Sequence, residues 1–322
     1  MLARFTGSPA IMSVTCQRSA NGLTTTMIGA QIGTMSTSHH QLADATCPDA
    51  QPVPVVVLHG IYGTGMLFDG LRAALDPARY PITAPDIQGH GTARLVTGPL
   101  DAVTVAEALV PALTADGFER FHLIGHSHGG AAAQVIARLF PDRVASLVLV
   151  SSYTWQPLSW WERLGGRIAP LAVRLAGTRL IGMTTRITRN GGGGRRLSAV
   201  AARNLARQMA ANDAHQMARA LAATRLFDSR PWLHEIRAPT LVITGSADHM
   251  VSPRQSVLLA AGIPGARLEV IRRAGHIPPL SHPDEFHRLV SDWLAEVDRS
   301  GRPLPAGAGE TGVQGDRSPT LP

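Results

Sequence analysis

The sequence predicts an α/β protein: a mostly parallel sheet, covered by helices on both faces and interrupted once by a helical insertion. Three observations lead there. Short β-branched runs alternate with helical stretches from Pro54 onward, the alternation lapses between Tyr153 and Arg230, and a glycine-flanked serine sits at one strand-to-helix junction. Such alternation pairs strands in parallel through crossover helices.

The elements follow in order. Val55-Val56-Val57-Leu58 is a continuous apolar run ending in His59-Gly60, as expected of a strand buried on both faces. A helical stretch near Met66–Leu75 precedes a strand at Tyr80–Ala84. Thr104–Ala115 has helical composition, interrupted by Pro111. Phe121–Ile124 is the next strand, Gly129–Phe140 an Ala-rich helix stopped by Pro141, and Val144–Val150 another buried strand. Leu241–Thr244 and Leu268–Ile271 complete the set. After Pro283, residues Phe286, Leu289, Val290, Trp293, Leu294 and Val297 share one helical face. The expected organisation is a polar arm over 1–51, with a hairpin turning at Asn21-Gly22, then a first core part over 52–152. A helical Arg-rich cap over 153–230, a second core part over 231–299 and a Gly/Pro-rich disordered tail over 300–322 follow.

Composition excludes several classes of function. A 44% apolar share in 322 residues supplies a sizeable core and excludes general disorder. Cys16 and Cys47 can form no disulfide framework and lack metal-ligand spacing. No apolar run reaches the length of a membrane span, and Pro9, Ser13 and Thr15 break any signal-like stretch. A cytoplasmic location is the expectation. The net charge of +7 is uneven: the 153–230 segment carries 13 Arg against Glu162, Asp213 and Asp228, and the chain has no Lys. A solvated helical surface explains that segment most simply. A weak attraction to anionic surfaces is the second reading and a phosphate-tracking face for nucleic acid the third, so no nucleic-acid partner is expected.

The residues with chemical meaning begin at Gly125-His126-Ser127-His128-Gly129, a G-x-S-x-G pattern between a strand and a helix. A tight turn there pushes the serine oxygen outward, and the helix that follows aims its N-terminal dipole at it. A hydroxyl needs a base, and the base an orienting acid. His276 is the best base, just after the last strand, where open α/β sheets place their sites. His122, His126 and His128 lie too close in sequence to Ser127 to reach around its side chain. Asp248, in the loop after Leu241–Thr244, is the preferred acid, with Asp228 as competitor. Two backbone N–H donors should converge on an oxyanion: that of His128, and that of Ile61 (or, second, Tyr62) in the loop His59-Gly60-Ile61-Tyr62-Gly63. This loop lacks the Lys-Ser/Thr ending of a phosphate-binding P-loop.

Taken together, Val55–Gly65, Pro85-Asp86-Ile87-Gln88-Gly89-His90-Gly91, Gly125–Gly130, Pro239–Pro253 and Gly275–Pro283 resemble the α/β-hydrolase superfamily over residues 52–298. The resemblance implies a sheet of about eight strands with a helical cap inserted after the sixth, the one ending near Val150. It also implies that Asp86–Gly91 is a structural turn, and that Ser127, His276 and Asp248 form a catalytic triad needing no cofactor or metal. The expected reaction is hydrolysis of a small or medium carboxylic ester. Lactones, thioesters, peroxidation and C–C cleavage of diketones share the same triad, and an idle ligand-binding scaffold is the alternative from another class. A serine at the nucleophile position counts against the dehalogenases and epoxide hydrolases of this fold. Tyr62, Trp155, Trp160, His249 and Ile277 are candidate substrate-lining residues, although tryptophans and methionines of the cap can equally serve to pack it on the core.

Overall fold

The computed structural model describes residues 16–19, 22–25, 52–93, 98–155, 194 and 197–300. Within the unit Met1–Gln51, β1 (Cys16–Ser19) and β2 (Gly22–Thr25) form a two-stranded antiparallel sheet. Gly22 pairs with Ser19 and so opens the second strand rather than sitting in the turn.

The second unit is built on a six-stranded parallel sheet of β3 (Val55–Leu58), β4 (Ile82–Thr83), β5 (Phe121–His126), β6 (Val144–Val150), β7 (Thr240–Gly245) and β8 (Arg267–Ile271). Their order across the sheet is β4-β3-β5-β6-β7-β8. The helices are α1 (Asp69–Ala74), α2 (Ala102–Ala115), α3 (His128–Leu139), α4 (Ala199–Ala210), α5 (Ala214–Ala223), α6 (Pro253–Gly262), α7 (Pro278–Ser281) and α8 (Pro283–Ser300). Among the described residues this sheet has six strands where the resemblance implies about eight.

The central strands β3, β5, β6 and β7 are buried along their whole length and mostly apolar because both faces are covered, and alternate side chains enter different cores. Val56, Leu58, Leu123, Leu147, Leu149 and Val242 pack with α2, α3 and α6. Val55, Val57, Ile124, Val148, Val150 and Ile243 pack on the other face with α1, α4 and α8. Helix α8 buries Phe286, Leu289, Val290, Trp293 and Leu294, the stripe its sequence spacing predicts.

Local propensity gives way to packing at several places. Helix α2 begins at Asp101, whose carboxylate caps the Val103 and Thr104 N–H groups, and runs through the exposed Pro111 without interruption. Its buried Val105, Ala106, Val110 and Leu113 hold it against the core on both sides of the proline, offsetting the one lost helical bond. The 80–84 strand shrinks to Ile82–Thr83, which pair with Val55 and Val56 of β3. The first turn of the 66–75 stretch is a 3₁₀ helix, Gly65–Phe68, leading into α1. The 197–221 pattern splits into α4 and α5 at Asn212-Asp213, where the Asp213 carboxylate caps the Gln216 N–H.

Helix α3 approaches the sheet unusually closely. A Cβ on Gly129 would stand 2.4 Å from both the Leu58 and the His59 carbonyl oxygens. We therefore expect Gly129→Ala to force backbone apart and lower the melting temperature by about 5 °C or more. Gly98→Ala, with nothing within 4 Å of the added carbon, should leave it unchanged. Equal melting temperatures for the two variants would refute this account of the contact.

Candidate active site

Parallel strands bring all their carboxyl ends to one edge, and the predicted residues meet there. β5 ends at His126, and Ser127 follows with φ 53 and ψ −117, a pose unfavourable for a residue with a Cβ. Two bonds hold it: Ser127 N–H donates to the Val150 carbonyl (2.9 Å), and the Ser152 hydroxyl donates to the Ser127 carbonyl (3.0 Å). The serine side chain thus leaves the sheet edge half-exposed at the start of α3.

Asp248 comes from the loop after β7 and His276 from the loop after β8. Asp248 Oδ2 lies 2.8 Å from His276 Nδ1, and His276 Nε2 lies 3.0 Å from Ser127 Oγ. A carboxylate only accepts, so Nδ1 carries the ring proton and Nε2 is free to accept from the serine hydroxyl. The other carboxylate oxygen, Oδ1, accepts from the Met250 and Val251 N–H groups, both at 2.9 Å, which fixes the plane of the group. Asp228, the competing carboxylate, is instead engaged with the Arg230 guanidinium at 2.6 and 2.9 Å.

A second Ser–His–Asp arrangement exists at the opposite end of the sheet. His122 Nδ1 lies 2.9 Å from Ser146 Oγ, and its Nε2 lies 3.4 Å from Asp298. Ser146 is 0% exposed there, so no substrate can reach it, and the Tyr80 hydroxyl donates to the same carboxylate at 2.7 Å. This group ties α8 to the strands.

The loop after β3 carries the expected second oxyanion donor. The Gly60 carbonyl accepts from His59 Nδ1–H (2.9 Å) and from Gly63 N–H (3.0 Å), while His59 Nε2 accepts from Ile87 N–H (2.9 Å). Across a trans peptide the Ile61 N–H points opposite to that held carbonyl. Among the described residues, neither the Ile61 N–H nor the His128 N–H, in the first turn of α3, has an acceptor.

The structure uses the other histidines of the elbow as fixed, neutral braces. His126 Nε2–H donates to the His276 carbonyl at 2.9 Å, tying the Ser127 turn to the His276 loop. His128 Nε2–H donates to the Leu100 carbonyl (3.3 Å), and its Nδ1 accepts from the Tyr153 hydroxyl (3.1 Å). Burial first, then the neighbouring His90 ring, pushes His59 and His128 down to about 4. Burial and the nearby His276 push His126 down to about 3. Sequence reasoning set His126 and His128 aside on reach. Its missing signal was their partners, which are backbone carbonyls and a tyrosine distant in the chain.

The remaining candidates are spread around the site. Tyr62 is half-buried with φ 65, between the glycines of the loop after β3. Ile277, next to His276, is buried in the core cluster beneath α8. His249 is exposed beside Asp248. Trp155 lies after β6 with the Arg230 guanidinium 4.3 Å above its ring. Trp160 lies outside the described residues. No group of three or more His, Cys, Asp or Glu side chains among the described residues could hold a metal ion.

The buried histidines have a consequence for acid stability. Between pH 6.5 and about 4 the unfolded chain binds protons at His59, His126 and His128 that the folded chain refuses. Stability is therefore full above about pH 6.5 and falls as pH drops through that window, by up to about 1.4 kcal/mol per pH unit for each ring. The melting temperature should drop steeply between pH 6.5 and 4.5, ahead of the carboxylate range. A flat profile across that interval would contradict the neutral, braced rings.

Comparisons with known proteins bear on the family to which this fold belongs. A profile of the family described as alpha/beta hydrolase fold matches residues 53–283. The chain is 28% identical over 257 residues to a pimeloyl-[acyl-carrier protein] methyl ester esterase of Neisseria meningitidis serogroup B, covering 77% of this chain and 94% of the relative. It is 27% identical over 277 residues to a putative carbamate hydrolase of Caulobacter sp., covering 82% and 98%. Among solved structures, a hydrolase from Pseudomonas aeruginosa PA01 superposes with a TM-score of 0.67 at 28% identity, covering 76% of this chain and 91% of that one. A parallel sheet flanked by helices, a serine on a strained strand-to-helix turn and a family match over most of the length converge: the chain belongs to the α/β-hydrolase fold family and is an enzyme, a hydrolase.

Proposed function

We propose that this hydrolase cleaves a small or medium carboxylic ester through an acyl-enzyme, with Ser127 as nucleophile, His276 as base and Asp248 as orienting acid. The unbroken hydrogen-bonded line from Asp248 Oδ2 through His276 to Ser127 Oγ carries the reading. In the first half-reaction His276 Nε2 takes the hydroxyl proton as Ser127 Oγ bonds to the ester carbonyl carbon. The carbonyl oxygen becomes an oxyanion, held by the Ile61 and His128 N–H groups. Collapse of this intermediate breaks the bond to the alkoxy group, which leaves with the proton from His276. Water then repeats the sequence on the acyl-enzyme and releases the acid.

Helices α4 and α5, between β6 and β7, are the described part of the cap in this reading, over a sheet of about eight strands. Tyr62, Trp155, Trp160, His249 and Ile277 are retained as substrate-lining candidates. An ester of a carboxylic acid is favoured because one relative is named as a methyl ester esterase; another is named as a putative carbamate hydrolase, which keeps related acyl substrates in view.

Hydrolysis of a p-nitrophenyl ester series from acetyl to palmitoyl tests the proposal. Ser127→Ala should abolish turnover, and the wild-type optimum would size the acyl pocket. Equal rates in both proteins would sink the mechanism. Asp248→Asn should lower kcat by about 10³- to 10⁴-fold. The Met250 and Val251 N–H groups hold the amide oxygen at the Oδ1 position, so the amide nitrogen faces Nδ1 and drives the ring proton onto Nε2. A kcat within tenfold of wild type would refute the role given to Asp248.

A further inference from the structure

The turn between α4 and α5 presents a buried asparagine to the core. Asn212 is 7% exposed, and its carboxamide bridges three separate segments. Oδ1 accepts from the Gly91 N–H at 2.8 Å. Nδ2 donates to the Gln208 carbonyl at 2.8 Å and to the Tyr62 carbonyl at 3.1 Å, with the Gly63 carbonyl at 3.4 Å. One helical turn earlier, the buried Gln208 accepts at Oε1 from the Thr64 N–H at 3.3 Å.

These two amides act on the oxyanion loop from the insertion. The loop is anchored at its start by His59 on the Gly60 carbonyl, and at its end by Asp86 Oδ1, which accepts from the Gly65 N–H at 2.9 Å. Its middle, Tyr62 to Thr64, is bonded to the insertion. Tyr62 has φ 65, a left-handed pose that a residue with a Cβ adopts only when its surroundings hold it there. The bond to its carbonyl supplies that hold. A carboxamide offers an acceptor to Gly91 and a donor to Tyr62 from two atoms on one carbon, without titrating.

We propose that Asn212, supported by Gln208, is a positioning residue for the oxyanion hole. From the insertion it fixes the Ile61–Gly63 backbone, so that the Ile61 N–H faces the developing oxyanion. The inference rests on the serine-hydrolase reading above. It makes the oxyanion hole a joint product of the core and the insertion: displacement of α4 and α5 would release the middle of the loop while leaving Ser127, His276 and Asp248 in place.

An interaction of this kind acts in the transition state more than in the ground state, which separates it from packing. With p-nitrophenyl butyrate, Asn212→Ala should lower kcat by about 10- to 100-fold with KM within about threefold of wild type. The inhibition constant of an alkyl trifluoromethyl ketone, which forms a tetrahedral oxyanion on the serine, should rise by the factor that kcat/KM falls. The isosteric Asn212→Asp, which sets a carboxylate oxygen against the Tyr62, Gly63 and Gln208 carbonyls, should do at least as much. Gln208→Ala should move the same quantities by less, and it carries the comparison should the Asn212 variants not fold. Val144→Ala, in the core at the far end of β6, should lower the melting temperature with kcat within twofold of wild type.

Folded Asn212 and Gln208 variants with unchanged kcat and unchanged trifluoromethyl ketone affinity would overturn the positioning role, whatever their melting temperatures. Labelling of wild-type Ser127 by a fluorophosphonate keeps the two levels apart. A labelled wild type with unaffected variants overturns only this inference. A wild type that is neither labelled nor active on esters overturns the serine-hydrolase reading and this inference with it.

Discussion

The close contact of α3 with the ends of β3 and β5 is the constraint on which the site depends. Leu58 and His59 carbonyl oxygens stand where a side chain on Gly129 would begin, so helix and sheet meet backbone to backbone. That approach sets the sharp turn at Ser127 and puts the first turn of α3 beside the loop after β3. The two amide groups expected to bind an oxyanion belong to those two segments. Any loosening here would move Ser127 and the two amide groups together, and the strained serine is bonded on both sides, through Val150 and Ser152.

Around this contact the protein spends buried histidine on geometry rather than charge. A neutral imidazole donates at one nitrogen and accepts at the other, and burial keeps it neutral. His59 uses both functions to lock the Gly60 carbonyl against Ile87, and His128 uses both between Leu100 and Tyr153. His126 uses its donor on the His276 carbonyl. Rigid loops at a sheet edge are hard to build from surface contacts alone, since water competes for every bond. Fully buried rings remove that competition at the cost of acid stability.

The insertion between β6 and β7 joins the same network. Asn212 and Gln208 reach from α4 and its following turn into the loop after β3, and Asn212 also meets the Asp86–Gly91 turn. In that turn Asp86 accepts from Gly65 N–H, Thr92 N–H and the Thr92 hydroxyl. Burial raises the Asp86 carboxyl, but these donors together hold it below the usual carboxylate range. Core and insertion are therefore hydrogen-bonded to each other at this loop rather than only facing each other.

The sequence by itself determined the strand-to-helix alternation, the glycine-flanked serine and the likeness that goes with them. Those signals are local: β-branched runs buried on both faces, an Ala-rich helix after a tight turn, an apolar stripe on α8. It also named Asp248 and His276, because parallel strands all end at one edge and the residues just past those ends have few other places to go. Only the tertiary structure decided what lies between distant segments. Pro111 stays within a helix because packing outweighs propensity. His126, His128 and Asn212 acquire roles from partners between 25 and 150 residues away, a separation across which no periodicity or motif carries information.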